Sequence, residues 1–94
     1  MNLTSEQLTT ITEWAEKGLA PIEIAIVMGL KRDEFKLEYL QPGSQLEEAF
    51  NRGYLKLYAA LNAKIISQAK NGNSQAQDKL NELLINIQNK IISQ

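Results

Sequence analysis

The stretch Gly18-Leu19-Ala20-Pro21-Ile22-Glu23-Ile24-Ala25-Ile26-Val27-Met28-Gly29-Leu30 decides the fold. Pro21 suits a first helical turn, where its missing donor costs nothing, and Ile22, Ile24, Ala25, Val27 and Met28 then make a short, mostly buried helix. Ala25 is small enough to let another helix cross closely. Gly29, four residues on, can take the left-handed conformation that turns the chain, and Leu30 and Phe35 bury the helix that follows. Together these demands describe a helix-turn-helix over Thr9 to Leu40; the plainer alternative is an ordinary helical hairpin with glycine at a helix end.

Outward from this stretch, punctuation falls where helices should stop: Gly18, Gly29, Pro42-Gly43 and Asn71-Gly72-Asn73. The spacing predicts an all-α chain of five helices. The first runs from about Ser5 to Lys17, capped by Thr4 or Ser5, with Leu8, Ile11, Trp14 and Ala15 on one face. The third, about Lys31 to Leu40, offers Phe35, Tyr39 and Leu40 inward. Ser44 with Glu47 reads as a capping box opening a long fourth helix, about Gln45 to Lys70, and Asn73 or Ser74 opens a fifth that ends near the C-terminus. The expected organisation is a three-helix helix-turn-helix over 1–43 and an antiparallel helical hairpin for oligomerisation over 44–94, together one compact unit. A chain of 94 residues supports a single core.

Composition removes several classes of function. With no cysteine and no histidine, a disulfide framework, an ordinary zinc site and the commonest nucleophile and base pairings are all missing. There is no Gly-x-x-x-x-Gly-Lys-[Ser/Thr] phosphate loop, and Glu47-Glu48 at a helix start complement its dipole better than they hold a metal. No catalytic role and no cofactor are expected. No apolar run approaches the roughly 18 residues that span a bilayer, and Met1-Asn2-Leu3-Thr4 does not begin a signal peptide, so a cytoplasmic protein is expected.

The net charge of −1 hides a division. The first fifty residues hold nine of the eleven acids against Lys17, Lys31, Arg32 and Lys36, whereas from Asn51 onward six bases face only Asp78 and Glu82. Such a dipole orients DNA toward the basic half, or sets head-to-tail contacts between subunits. Within the third helix, Lys31 and Arg32 stand at the N-terminus, where recognition helices approach base edges, and Lys36 lies one turn on. Asp33, Glu34 and Glu38 oppose them, so a solvated or protein-binding face is the alternative, and DNA binding by one subunit should be weak.

The last two helices carry more apolar surface than one partner covers. Leu46, Phe50, Leu57, Leu61 and Ile65 form one stripe of the fourth helix, while Leu55, Tyr58 and Ile66 point elsewhere with Tyr54 nearby. On the fifth, Leu80, Leu84, Ile87 and Ile91 alternate steps of four and three, and Ile85 and Ile92 lie off that seam. A monomer core could use them all, but contiguous apolar faces of this kind mark protein contacts, and self-assembly is expected.

The order Gly18 to Leu30, then Phe35, then Leu46-Glu47-Glu48-Ala49-Phe50-Asn51-Arg52-Gly53, resembles the small terminase subunits of tailed phages. Ala69-Lys70-Asn71-Gly72-Asn73-Ser74-Gln75-Ala76 is similar to the Ala-x-x-Gly-Asn-x-x-Ala segment that often follows the long helix in such phage helix-turn-helix proteins. The matches span about Ile11 to Leu80, and related patterns occur in transposase-like and regulatory helix-turn-helix proteins. The resemblance implies a non-catalytic subunit that assembles into a ring, engages viral DNA and presents it to a separate large terminase motor. Carried over by position, Lys31, Arg32 and Lys36 face DNA, with Lys17 a further candidate phosphate contact. The chain is short for that family. Two other roles fit the residues: a virion or adaptor protein using the scaffold for protein contacts, and a small transcription regulator bound as a dimer to a palindrome.

Overall fold

Every helix but the third begins where a free amide finds a side-chain acceptor. Thr4 Oγ1 accepts from the Gln7 amide at 3.1 Å, and the Gln7 side chain accepts in return from the Thr4 amide at 2.9 Å, a reciprocal capping box. Ala20 has no side-chain acceptor to offer, so only the backward half of such a box forms, with the Glu23 carboxylate accepting from the Ala20 amide at 2.8 Å. Ser44 Oγ accepts from the Glu47 amide at 3.1 Å and donates to the Glu38 carbonyl at 2.7 Å. The return half of the box expected there is displaced by one residue. Glu47 reaches the Gly43 amide at 3.4 Å, because the Ser44 amide already donates to the Gln41 carbonyl. Asn73 Oδ1 accepts from the Ala76 amide at 2.9 Å and opens the last helix.

The computed structural model describes residues 1–93 as five helices: α1 (Ser5–Glu16), α2 (Pro21–Met28), α3 (Arg32–Tyr39), α4 (Gln45–Lys70) and α5 (Ser74–Ser93). No strand occurs among the described residues, so the chain is all-α as its periodicity predicts. The turn between α2 and α3 closes on Gly29 at φ +70°, with the Leu30 amide donating to the Ala25 carbonyl at 2.9 Å and the Gly29 amide to Ile26 at 3.2 Å. Only a residue without a Cβ adopts that conformation at little cost.

Contacts group the chain into two units that divide within α4, Met1–Tyr58 and the residues from Ala59 onward. The first holds the main core, formed by Ile11, Ala15, Ile24, Ala25, Phe35, Leu46, Ala49 and Phe50, with Leu3, Leu8, Trp14, Leu19, Met28, Leu30 and Tyr39 packed around it. α2 packs on both α1 and α3. α1 and α4 approach closely at Gly53, where a Cβ would overlap the Thr12 carbonyl oxygen and stand 2.8 Å from Ala15 Cβ. Beside that crossing Thr12 Oγ1 donates to the Ala49 carbonyl of α4 at 2.8 Å.

Two burial expectations need correction in this unit. α2 is not mostly buried: Ile24 and Ala25 are fully enclosed, but Ile22, Ile26 and Val27 are 42%, 58% and 52% exposed. The helix is apolar on every side, whereas α1 and α3 cover one. Leu40 does not point inward either and is 61% exposed. Phe35 and Tyr39, one turn apart, take the inner row of α3, and the residue after Tyr39 is rotated off that row by about 100°.

In the second unit the buried positions are Ala69, Ala76 and Leu83. The turn between the two helices closes with the Gly72 amide on the Ala69 carbonyl and the Asn73 amide on Gln68, and Gln77 Nε2 donates across it to the Ala69 carbonyl at 3.1 Å. This sets the rotation of α5. Its inner side carries Ala76, Leu80 and Leu83, the last 6% exposed, whereas Leu84 and Ile91 of the seam read from the sequence are 50% and 65% exposed.

Candidate nucleic-acid interface on the third helix

The Gly29 turn delivers Lys31 as the N-cap of α3, one position outside the helix proper, and Arg32 as its first residue. No side chain caps these amides, since lysine carries no acceptor. Helical spacing sorts the remaining solvent positions into rows. Arg32, Lys36 and Leu40 make one, Asp33 and Leu37 a second, and Glu34 and Glu38 a third. The bases therefore gather along one edge of α3 and two of its acids along the opposite edge, with Asp33 and the exposed Leu37 and Leu40 between them.

The ion pairs follow these rows. Lys31 Nζ lies 3.9 Å from the Glu34 carboxylate, both side chains well exposed, and Glu38 lies 3.9 Å from the amino group of Met1. The long, solvated Lys31–Glu34 contact holds little energy and leaves Lys31 free to exchange partners. Arg32 and Lys36 are exposed and form no ion pair among the described residues. The Lys36 side chain also borders an apolar hollow of about 230 Å³ lined by Ala20, Pro21, Ile22, Tyr39 and Leu40, so its ammonium stands at the rim of an uncharged depression.

Of the four bases singled out from the sequence, α3 and its cap bring Lys31, Arg32 and Lys36 together. Lys17 belongs elsewhere: it is the C-cap of α1, its ammonium 4.9 Å from the centroid of the Trp14 ring. Arg52 and Lys56 of α4 line a shallow groove with Glu13 and Glu16 of α1, so part of the basic surplus after Asn51 faces acids of its own unit.

Sequence reasoning missed a mainly apolar groove, of about 520 Å³, between Leu19, Ala20 and Pro21 on one side and Phe50, Tyr54 and Leu57 on the other. Tyr39 meets the Phe50 ring edge-on at 5.2 Å, and the rings of Phe50, Tyr54 and Tyr58 follow one another nearly parallel at 6.3 Å and 6.2 Å. The signal was present as three aromatics at steps of four.

The expected assembly residues divide by burial. Leu55, Leu84, Ile85, Ile91 and Ile92 are at least half exposed, with Ile92 the most open at 81%. Ile87 is exposed to a lesser degree, and Tyr58, Ile66 and Leu80 are half-buried. Among the described residues no group of three or more acidic, histidine or cysteine side chains could hold a metal, and no helix is long and apolar enough to cross a membrane. No protein-family model, curated protein or solved structure matches the chain.

Proposed function

We propose that the chain is a non-catalytic DNA-binding protein in which α2, the Gly29 turn and α3 act as a helix-turn-helix, α4 and α5 form an antiparallel hairpin for self-association, and several copies engage DNA together. The observation that carries this reading is the Arg32–Lys36 row, two exposed bases one turn apart on the helix that follows the turn, neither held by a carboxylate. Lys31 at the uncapped N-terminus adds a third donor, in the place where a helix dipole also favours phosphate. The order of motifs from Ile11 to Leu80 supports the narrower role of a phage small terminase-like subunit that recognises viral DNA for a large terminase motor.

Affinity on this reading comes from number. Each copy offers about three phosphate-directed bases, a log–log salt slope of only about −3, and Asp33 stands beside them. Linking several such weak contacts multiplies them. Fluorescence anisotropy of a labelled duplex, titrated with the protein at a series of salt concentrations, tests the proposal. Retention at low salt that vanishes in the Arg32→Glu, Lys36→Glu double variant is the expected result; no retention of any duplex at low salt refutes it.

A second reading is favoured by one observation: Leu37 and Leu40, on the same solvent side of α3, are 67% and 61% exposed. Such a ridge suits a protein partner better than a phosphate backbone, as in a virion or adaptor protein. Light scattering separates the two, because an adaptor assembles to the same mass with and without DNA.

A further inference from the structure

α5 turns its inner row, Ala76, Leu80 and Leu83, toward its own unit. Asp78, Glu82 and Ile85 each stand two positions beyond a residue of that row, about 200° further round the helix, on its far side. Asp78 and Glu82 are the only acids after Glu48, are exposed, and form no ion pair among the described residues. Ile85 is 57% exposed. This row is acid, acid, apolar, with its two acids one turn apart.

The basic edge of α3 reads base, base, apolar, Arg32, Lys36 and Leu40, with its two charges at the same step of four, and beside Lys36 and Leu40 lies the apolar hollow floored by Ala20, Pro21, Ile22 and Tyr39. Both rows are exposed, and none of their four charged residues forms an ion pair among the described residues. We infer that the Arg32–Lys36–Leu40 row of α3 receives the Asp78–Glu82–Ile85 row of α5 from a second copy of the chain. With the two helices parallel, Asp78 meets Arg32, Glu82 meets Lys36 one turn on, and Ile85 follows into the hollow. Charge complementarity fixes direction and register, and burial of Ile85 supplies the apolar part.

The contact joins two different surfaces, so each copy offers one half to each neighbour and the association closes into a ring or continues. It stands apart from the DNA reading but bears on it. A phosphate backbone and the Asp78–Glu82 row would use the same two bases, so DNA and this contact exclude each other. Self-association through α3 thus masks the DNA-directed row until nucleic acid displaces the neighbour.

Charge reversal on each side, followed by mixing, tests this without DNA. The variant Arg32→Glu with Lys36→Glu sets acid against acid, and Asp78→Lys with Glu82→Lys sets base against base. Sedimentation equilibrium at low salt should show each variant alone associating about tenfold or more weakly than the parent chain, and a one-to-one mixture recovering the parent's weight-average mass. All four residues are exposed, so helix content by circular dichroism should stay the same in both variants. Unchanged mass in either variant alone, or a mixture that weighs no more than the mean of its components, overturns the inference. Loss of DNA binding in the first variant with no change in its mass would leave the DNA reading intact and remove this one.

Discussion

At the scale of single residues, two glycines are required for different reasons. Gly29 has nothing within 4 Å of where a Cβ would sit, so its requirement is the left-handed backbone alone. Gly53 is helical and has no such conformational demand, but a Cβ there would run into the Thr12 carbonyl and Ala15 where α1 crosses α4. Gly29→Ala should therefore cost about 1 kcal/mol and Gly29→Asn less, because asparagine tolerates the left-handed region. Gly53→Ala should cost about 1–3 kcal/mol, since a packed crossing must shift, and asparagine there should be worse than alanine. Midpoints of urea unfolding check both orders. An asparagine that rescues both positions would show that the crossing is looser than its geometry. Gly29 was legible in the sequence because a turn glycine announces itself between two helical patterns. The role of Gly53 was not, since nothing local tells a crossing glycine from any other glycine in a helix.

At the scale of elements, the starts of helices were legible and their rotations were not. Thr4, Ser44 and Asn73 satisfy amides within three residues of themselves, so their chemistry can be read along the chain. The run Leu83-Leu84-Ile85 allows two registers with steps of four and three. The choice falls to Ala76 and to the Gln77 bond with Ala69 across the turn, a contact made only after folding. The same limit applies to α2, which is apolar at every position but Glu23 and has no periodicity to read. It applies again to the candidate site: the Arg32–Lys36 row follows from spacing, but the hollow beside it exists only where the start of α2 meets the end of α3. The register carries a prediction. Leu83→Ala should lower stability by about 2 kcal/mol or more, while Leu84→Ala, one position away, should cost less than about 1 kcal/mol. Thermal melts at low protein concentration make the comparison, and equal losses would show that Leu83 and Leu84 share the inner side of α5.

At the scale of the whole molecule, charge and apolar surface answer different questions. The unit Met1–Tyr58 carries nine acids and six bases, and Arg52 and Lys56 are set beside Glu13 and Glu16. A single copy is thus a poor phosphate binder whatever its α3 row can do, and any useful affinity must be collective. Collective binding has a signature, because the salt slope counts phosphates neutralised in one event. The exposed Leu84 and Ile91 on α5 are proposed to hold copies together, so Leu84→Asp with Ile91→Asp should lower the mass in light scattering while leaving Lys31, Arg32 and Lys36 in place. The parent chain should bind duplex with a log–log salt slope steeper than about −3, and the double variant should fall back to about −3 or shallower, with affinity at moderate salt reduced at least tenfold. A variant that loses its mass yet keeps the parent's slope would show that one copy alone neutralises all the phosphates counted. The bases would then have to include residues outside α3, with the lysines from Lys64 onward the first to substitute.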